Sequence, residues 1–135
     1  MDNKLTKADL NILLFVESRY KVQRKRIRAL VLKVLQENGV KGPVEVSIAI
    51  VGDRKMREVS RKYKGDDKTR NILSFPLSEG TSTYLPTDKL RLGDIIISYP
   101  EVIRESAKME LMVDDRISVL VEHGLRHLLG LHHEE

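Results

Sequence analysis

Residues 44–51 read V-E-V-S-I-A-I-V, and this segment decides the fold. Branched apolar residues occupy every second position, and those that share one face of an extended chain are Val44, Val46, Ile48 and Ile50. Successive side chains of a β-strand point to opposite faces, so this alternation is typical of a strand. We therefore expect a sheet that contains this segment.

Strands and helices are predicted to alternate on both sides of this segment. An apolar run at Leu10–Glu17 predicts a buried strand, with a helix as the competing interpretation. Helical periodicity runs from about Val22 to Asn38, where Gly39 ends it. After the segment we expect a helix that Asp53 caps and whose Met56, Val59 and Tyr63 side chains enter the core. A strand at Arg70–Phe75, a polar loop at Ser78–Lys89 and a strand at Leu92–Ser98 should follow. Two further helices should begin at Pro100 and at Asp114 and Asp115. This order indicates an α/β or α+β layered fold with about four strands, whose directions the pattern leaves open.

The composition describes an ordinary globular chain. Its 135 residues are expected to form one domain, residues 1–135, with 41% hydrophobic and 33% charged residues. No apolar run approaches the roughly 20 residues that cross a bilayer, and no signal peptide pattern opens the chain, so no membrane association is expected. The absence of cysteine excludes disulfides and thiolate metal sites and fits a cytoplasmic location. The net charge of +4 is compatible with a polyanionic partner such as RNA, and its basic residues cluster at Lys21–Arg28 and Arg54–Arg70.

All four histidines lie in the last fifteen residues, V-E-H-G-L-R-H-L-L-G-L-H-H-E-E. His123 and His127 are four residues apart, so on a helix they share one face and are able to bind one metal ion. A third imidazole returns to that face only if the helix ends, and Gly130 is suited to end it because glycine adopts the left-handed conformation. The spacing predicts a site of three histidines with a fourth tetrahedral position for water.

The third ligand has two candidates. The distance from Gly130 favours His133 over the adjacent His132, and Glu134 or Glu135 is a weaker alternative. A simpler interpretation is that these histidines only interact with the negative end of the helix dipole and with solvent.

Three sequence blocks resemble the YbeY family of bacterial endoribonucleases. They are H-G-L-R-H-L-L-G-L-H-H at the C-terminus, Y-K-G-D-D-K-T-R-N-I-L-S-F-P at Tyr63–Pro76, and L-G-D-I-I-I-S at Leu92–Ser98. The family signature looks like H-G-x-L-H-L-x-G-x-D-H, preceded by Y-R-x-K-D-x-P-T-D-V-L-S-F-P and L-G-D-I-x-I-S. The resemblance implies an α+β fold in which a mixed sheet of about four strands packs with about five helices.

The resemblance also implies a function and a site. It implies a metal-dependent endoribonuclease that is specific for single-stranded RNA and acts in ribosomal RNA maturation and ribosome quality control. One zinc ion, or alternatively another divalent transition metal, would be held by His123, His127 and His133. The family arginine after the tyrosine is Lys64 here, and the aspartate before the last histidine is His132. We expect Lys64 and Arg70 to neutralise charge on the phosphate. The residues expected to follow the RNA backbone are Arg61, Lys62 and Lys68.

Two other functions are compatible with the same residues. The histidine and glycine spacing also occurs in metzincin peptidases, but these use a glutamate as general base where this chain has Gly124. The chain is alternatively an RNA- or ribosome-binding module whose metal is structural or absent. The oligomeric state is not indicated by the sequence.

Overall fold

The structure is a computed structural model that describes residues 4–77 and 89–131. A short 3-10 helix, Lys7–Asp9, precedes the first strand. The four strands are β1 Leu10–Val16, β2 Val44–Val51, β3 Ile72–Pro76 and β4 Leu90–Ser98. The four α-helices are α1 Arg24–Glu37, α2 Asp53–Lys64, α3 Tyr99–Met109 and α4 Val113–Leu128.

The strands form one mixed sheet in the order β1-β2-β4-β3. The pairs β1–β2 and β2–β4 are parallel, whereas β3 runs antiparallel to β4. In the β2–β4 pair, Glu45 pairs with Arg91, but the next residue, Val46, pairs with Gly93. Leu92 is therefore an extra residue in β4, and the register shifts at this point. This β-bulge lies in the L-G-D block, next to the edge strand β3.

The helices cover the two faces of the sheet differently. The large apolar cluster joins alternate residues of the strands, such as Ile48 and Ile95, to α1 and α4, and Val102 of α3 belongs to it. The intervening residues on the other face, including Val51 and Leu73, pack against Met56 and Val59 of α2. The two-residue period of the strands thus sends one set of side chains to α1 and α4 and the other set to α2.

The predicted α+β fold with a four-stranded mixed sheet is confirmed. The described residues contain four α-helices and a 3-10 helix where about five helices were expected. The segment at residues 10–17 is a strand, as predicted, but an edge strand whose Phe15 is 58% exposed. Most of the predicted polar loop, residues 78–88, lies outside the described residues. No helix in the described ranges has the length and apolar character that a bilayer span requires.

Two predictions about α2 are wrong. Tyr63 was expected in the core but is 56% exposed, because its ring packs beside Phe75 at the open end of the smaller cluster. Asp53 does not cap the helix: Gly52 is the N-cap, and Glu17 accepts a hydrogen bond from the Gly52 N–H at 2.9 Å.

Asp53 instead joins three segments of the chain. Its carboxylate accepts hydrogen bonds from Thr69 at 3.0 Å, Ser98 at 3.3 Å and Arg104 at 3.1 Å. Burial acts to raise the pKa of Asp53, but these hydrogen bonds and the charge of Arg104 outweigh it, so the pKa is lowered. The ionised carboxylate therefore fixes the loop that leads into β3 against the start of α3.

Candidate active site

Helix α4 carries the two predicted metal ligands that the structure describes. Its buried residues are Ile117, Leu120, Val121, Gly124, Leu125 and Leu128. The last residue of the helix is Leu128, and Gly130, two positions later, adopts the predicted left-handed conformation with a φ of +78°. The Gly130 N–H donates to the His127 carbonyl at 3.0 Å, and the Leu131 N–H donates to the Arg126 carbonyl at 2.8 Å. This pair of bonds satisfies the last carbonyls of the helix, so the glycine exit is confirmed.

The side chain of His127 is held by the edge strand. Its Nδ1 atom lies 2.6 Å from the Ser74 hydroxyl oxygen of β3. His127 is half-buried, whereas His123, one turn earlier on the same face, is exposed. Because Ser74 engages Nδ1, Nε2 is the nitrogen that His127 would offer to a metal ion. Ser74 was not predicted as a site residue, although it lies in the L-S-F-P block that carries the family resemblance.

The predicted third ligand lies outside the described residues, together with its competitor: the described chain stops at Leu131, before His132 and His133. Within residues 4–77 and 89–131, no three side chains of the metal-ligating types come together. The structure therefore describes the helical pair of the predicted site, and the three-histidine site stays a prediction.

Gly124 lets α4 lie close to the sheet. A Cβ atom at this position would stand 3.0 Å from the Cδ1 atom of Ile95 and 3.2 Å from that of Ile72. Real Cβ atoms seldom make such short contacts, so position 124 has no room for a longer side chain. The glycine between the histidines thus has a packing reason, and it brings His127 within reach of Ser74.

A shallow cavity of about 260 Å³ surrounds His123. Its other lining residues are Val119, Glu122 and Arg126. The Arg126 guanidinium donates to Glu122 Oε2 from Nη2 at 3.0 Å and from Nε at 3.3 Å. The cavity therefore brings an imidazole together with an arginine–glutamate ion pair. Arg126 was not among the predicted site residues, although its four-residue spacing from Glu122 is a recognisable helical ion pair.

Arg70, predicted to contact phosphate, is paired with Asp66. Two guanidinium nitrogens of Arg70 donate to the two carboxylate oxygens, each at 2.7 Å. The hydrogen bonds from Arg70 lower the pKa of Asp66 to about 2, so the carboxylate is ionised throughout the neutral range. Because both oxygens and both nitrogens are engaged, the Arg70 charge is largely neutralised within its own loop.

The remaining predicted cations lie at the end of α2 and in the loop after it. Lys64, Arg61, Lys62 and Lys68 are all exposed. Arg61 pairs with Asp67, and the Lys62 ammonium lies 5.2 Å from the centre of the Tyr63 ring. Helix α2 packs on the sheet face opposite α4. The structure thus places these cations and the histidines in different layers, connected around the β3 edge by residues 65–71.

Known proteins similar to this chain share one family description. A family model described as endoribonuclease YbeY matches residues 14–135. A protein of Syntrophus aciditrophicus named endoribonuclease YbeY is 33% identical over 118 residues, which cover 87% of this chain and 72% of that protein. The protein of the same name from Thermus thermophilus is 34% identical over 110 residues, covering 82% of this chain and 76% of that protein.

A solved structure supports the fold independently. The solution structure of TM1509 from Thermotoga maritima superposes with a TM-score of 0.60 at 20% identity, covering 93% of this chain and 75% of that one. The family match includes α4, its glycine exit and the strand that carries Ser74. This chain therefore belongs to the endoribonuclease YbeY family.

Proposed function

We propose that this chain is a zinc-dependent endoribonuclease that cuts single-stranded RNA in the cytoplasm during ribosomal RNA maturation and ribosome quality control. Relatives named endoribonuclease YbeY support the reaction class. The single observation that carries the proposal is the histidine pair on α4, with His127 held by Ser74 at 2.6 Å. The partners would be RNA and the ribosome.

The donor set fits a zinc ion. His123, His127 and His133 would hold it, since imidazole is a preferred zinc donor and the chain has no cysteine. The Ser74 hydroxyl would accept a hydrogen bond from Nδ1–H of His127 and so fix the ring in the tautomer that presents Nε2. When bound, zinc supplies a Lewis acid that polarises a phosphoryl oxygen and makes water more acidic.

Arg126 is the cation best placed to bind the phosphate. It lines the cavity around His123, and its partner Glu122 is 42% exposed in an i, i+4 pair. Such exposed helical pairs contribute only about 0.3–0.5 kcal/mol, so a phosphate is able to replace the carboxylate. The Arg70–Asp66 pair is harder to open, because Arg70 donates to both carboxylate oxygens of Asp66, whereas Arg126 donates to only one oxygen of Glu122.

Replacing Arg126 by glutamine should lower kcat/KM for single-stranded RNA by at least about tenfold, because a charge-assisted hydrogen bond contributes roughly 1.5–3 kcal/mol. The melting temperature should change little, since the Arg126–Glu122 pair is partly exposed. Lys64→Gln is the matched control, as it removes the same charge on the other side of the sheet. A larger loss of activity in Lys64→Gln would assign the phosphate to the loop cation that the sequence first suggested.

The glycine at position 124 argues against a peptidase function. The metzincin general base would be a glutamate there. The Cβ direction of Gly124 points at Ile95 and Ile72, towards the sheet and not towards solvent. A carboxylate at this position would enter the apolar core, so this helix is not built to place a general base beside the metal.

The proposed activity is tested with the purified chain, a labelled single-stranded RNA, the same RNA as a duplex, and a casein-type peptide. Cleavage of the single-stranded RNA is expected, with loss on chelation and recovery on addition of zinc. The duplex and the peptide should stay intact. Tight RNA binding without scission under every metal condition would instead identify a binding module.

A further inference from the structure

A second concave surface lies at the opposite edge of the sheet, between α1 and β1. We call it the basic groove; its volume is about 530 Å³. Apolar side chains of both elements form its floor, namely Leu10, Ile12, Ala29 and Leu32. Its remaining lining residues are the cations Lys7, Lys25 and Arg28. The volume lies within the range of about 300–1,000 Å³ that is usual for ligand sites.

The charge of the basic groove is of one sign. No carboxylate is among its lining residues. Lys7 and Lys25 approach from different elements, the 3-10 helix and the start of α1, and both are exposed. The cations are complementary to the repeated negative charges of a nucleic-acid backbone, and the aliphatic floor between them is able to cover the apolar surface of its bases.

Two backbone carbonyls at the edge of β1 accept hydrogen bonds from arginine side chains. Arg28 donates to the Ile12 carbonyl at 3.2 Å, and Arg24 donates to the Leu14 carbonyl at 3.5 Å. These carbonyls would otherwise be available to pair with another chain, so the arginines protect the edge. Arg28 thereby has a structural role, which leaves Lys7 and Lys25 as the cations open to a ligand.

We propose that the basic groove is a second binding site for single-stranded RNA, with backbone phosphates on Lys7 and Lys25 and bases against the apolar floor. The choice of RNA rests on the proposed function, whereas the groove itself does not. The strand order places β1 three strands from β3, about 14 Å away within the sheet, and α1 lies between the groove and α4. The groove is therefore separate from the cavity around His123 and retains RNA without cutting it.

The test measures binding of a fluorescent single-stranded RNA by anisotropy, with chelator present so that the RNA stays intact. The Lys7→Glu/Lys25→Glu variant should bind at least about tenfold more weakly, and the slope of log K against log salt should fall by about 1.4, the value for two lost phosphate contacts. Ala29→Glu keeps both lysines, adds a good helix former, and should also weaken binding. A Lys33→Glu/Lys108→Glu variant carries the same change in net charge at exposed positions outside the groove.

Each outcome decides the proposal. Equal loss in both double variants would show a bulk charge effect, and unchanged binding in the groove variants, or no binding by the wild type, would also overturn the site. Loss of binding to vesicles of acidic phospholipid, with RNA binding retained, would assign the groove to a membrane surface instead. RNA cleavage with added zinc is measured separately. If the wild type binds RNA in the groove but does not cut it, only the proposed nuclease activity is contradicted. If the wild type cuts RNA and the groove variants bind RNA as tightly as the wild type does, only the proposed binding site is contradicted.

Discussion

Replacing His127 by alanine is expected to abolish measurable zinc binding and to reduce RNA cleavage by well over a hundredfold. Loss of a residue that only orients a ligand costs about 10–100-fold in metal affinity, so loss of the ligand itself should cost more. The fold should survive, because His127 is only half-buried and is the second-last residue of α4. Zinc titration by calorimetry, RNA cleavage and a thermal melt on the same preparation give the three quantities.

Ser74→Ala is the graded comparison for His127→Ala. It removes the hydroxyl that lies 2.6 Å from Nδ1 while keeping every predicted ligand. Zinc affinity should fall by about 10–100-fold, with cleavage recovering at high zinc concentration. A His127→Ala protein that bound zinc and cut RNA like the wild type would refute the site. His132→Ala and His133→Ala decide the third ligand, and we expect the larger loss at His133.

Periodicity predicted the elements well because it reports which side of each element is buried. The octapeptide at 44–51 is β2 over its full length, and Gly39 and Gly130 both take positive φ at the ends of α1 and α4. Periodicity does not report which layer covers a buried side chain. The placement of α2 on the face opposite α4 therefore could not be predicted, and with it the separation of Lys64 from the histidines.

The parts of the site that escaped prediction depend on contacts between distant residues. Ser74 and His127 are 53 residues apart, and a serine in a strand gives no periodic signal. Arg70 resembled an available cation until the structure placed Asp66 against it. Asp53 resembled a helix cap because the cap and the first turn share a preference for aspartate, and only the tertiary contacts with Thr69 and Arg104 distinguish the two.

Gly93→Ala is expected to destabilise the protein by about 2–6 kcal/mol, from overpacking and backbone strain together, which is a large part of the total for a domain of this size. A Cβ atom at Gly93 would stand 2.2 Å from the Phe75 carbonyl oxygen and 2.9 Å from Leu128 Cδ2. The Phe75 oxygen belongs to the backbone of β3, so relief requires opening the β3–β4 pair. The φ of +142° adds strain that glycine alone avoids. Urea denaturation monitored by circular dichroism measures the loss.

The same substitution at Gly39 separates backbone strain from collision. Gly39 has a φ of +69°, and a Cβ atom at this position would meet nothing within 4 Å. Gly39→Ala should therefore cost only the roughly 1–2 kcal/mol of a left-handed alanine. Equal losses at the two glycines would mean that the sheet absorbs the collision. The larger loss of stability expected for Gly93→Ala has a functional consequence, because β3 carries Ser74 and Leu128 is next to His127. A methyl group at position 93 that separates β3 from β4 should also loosen the position of the His127 side chain.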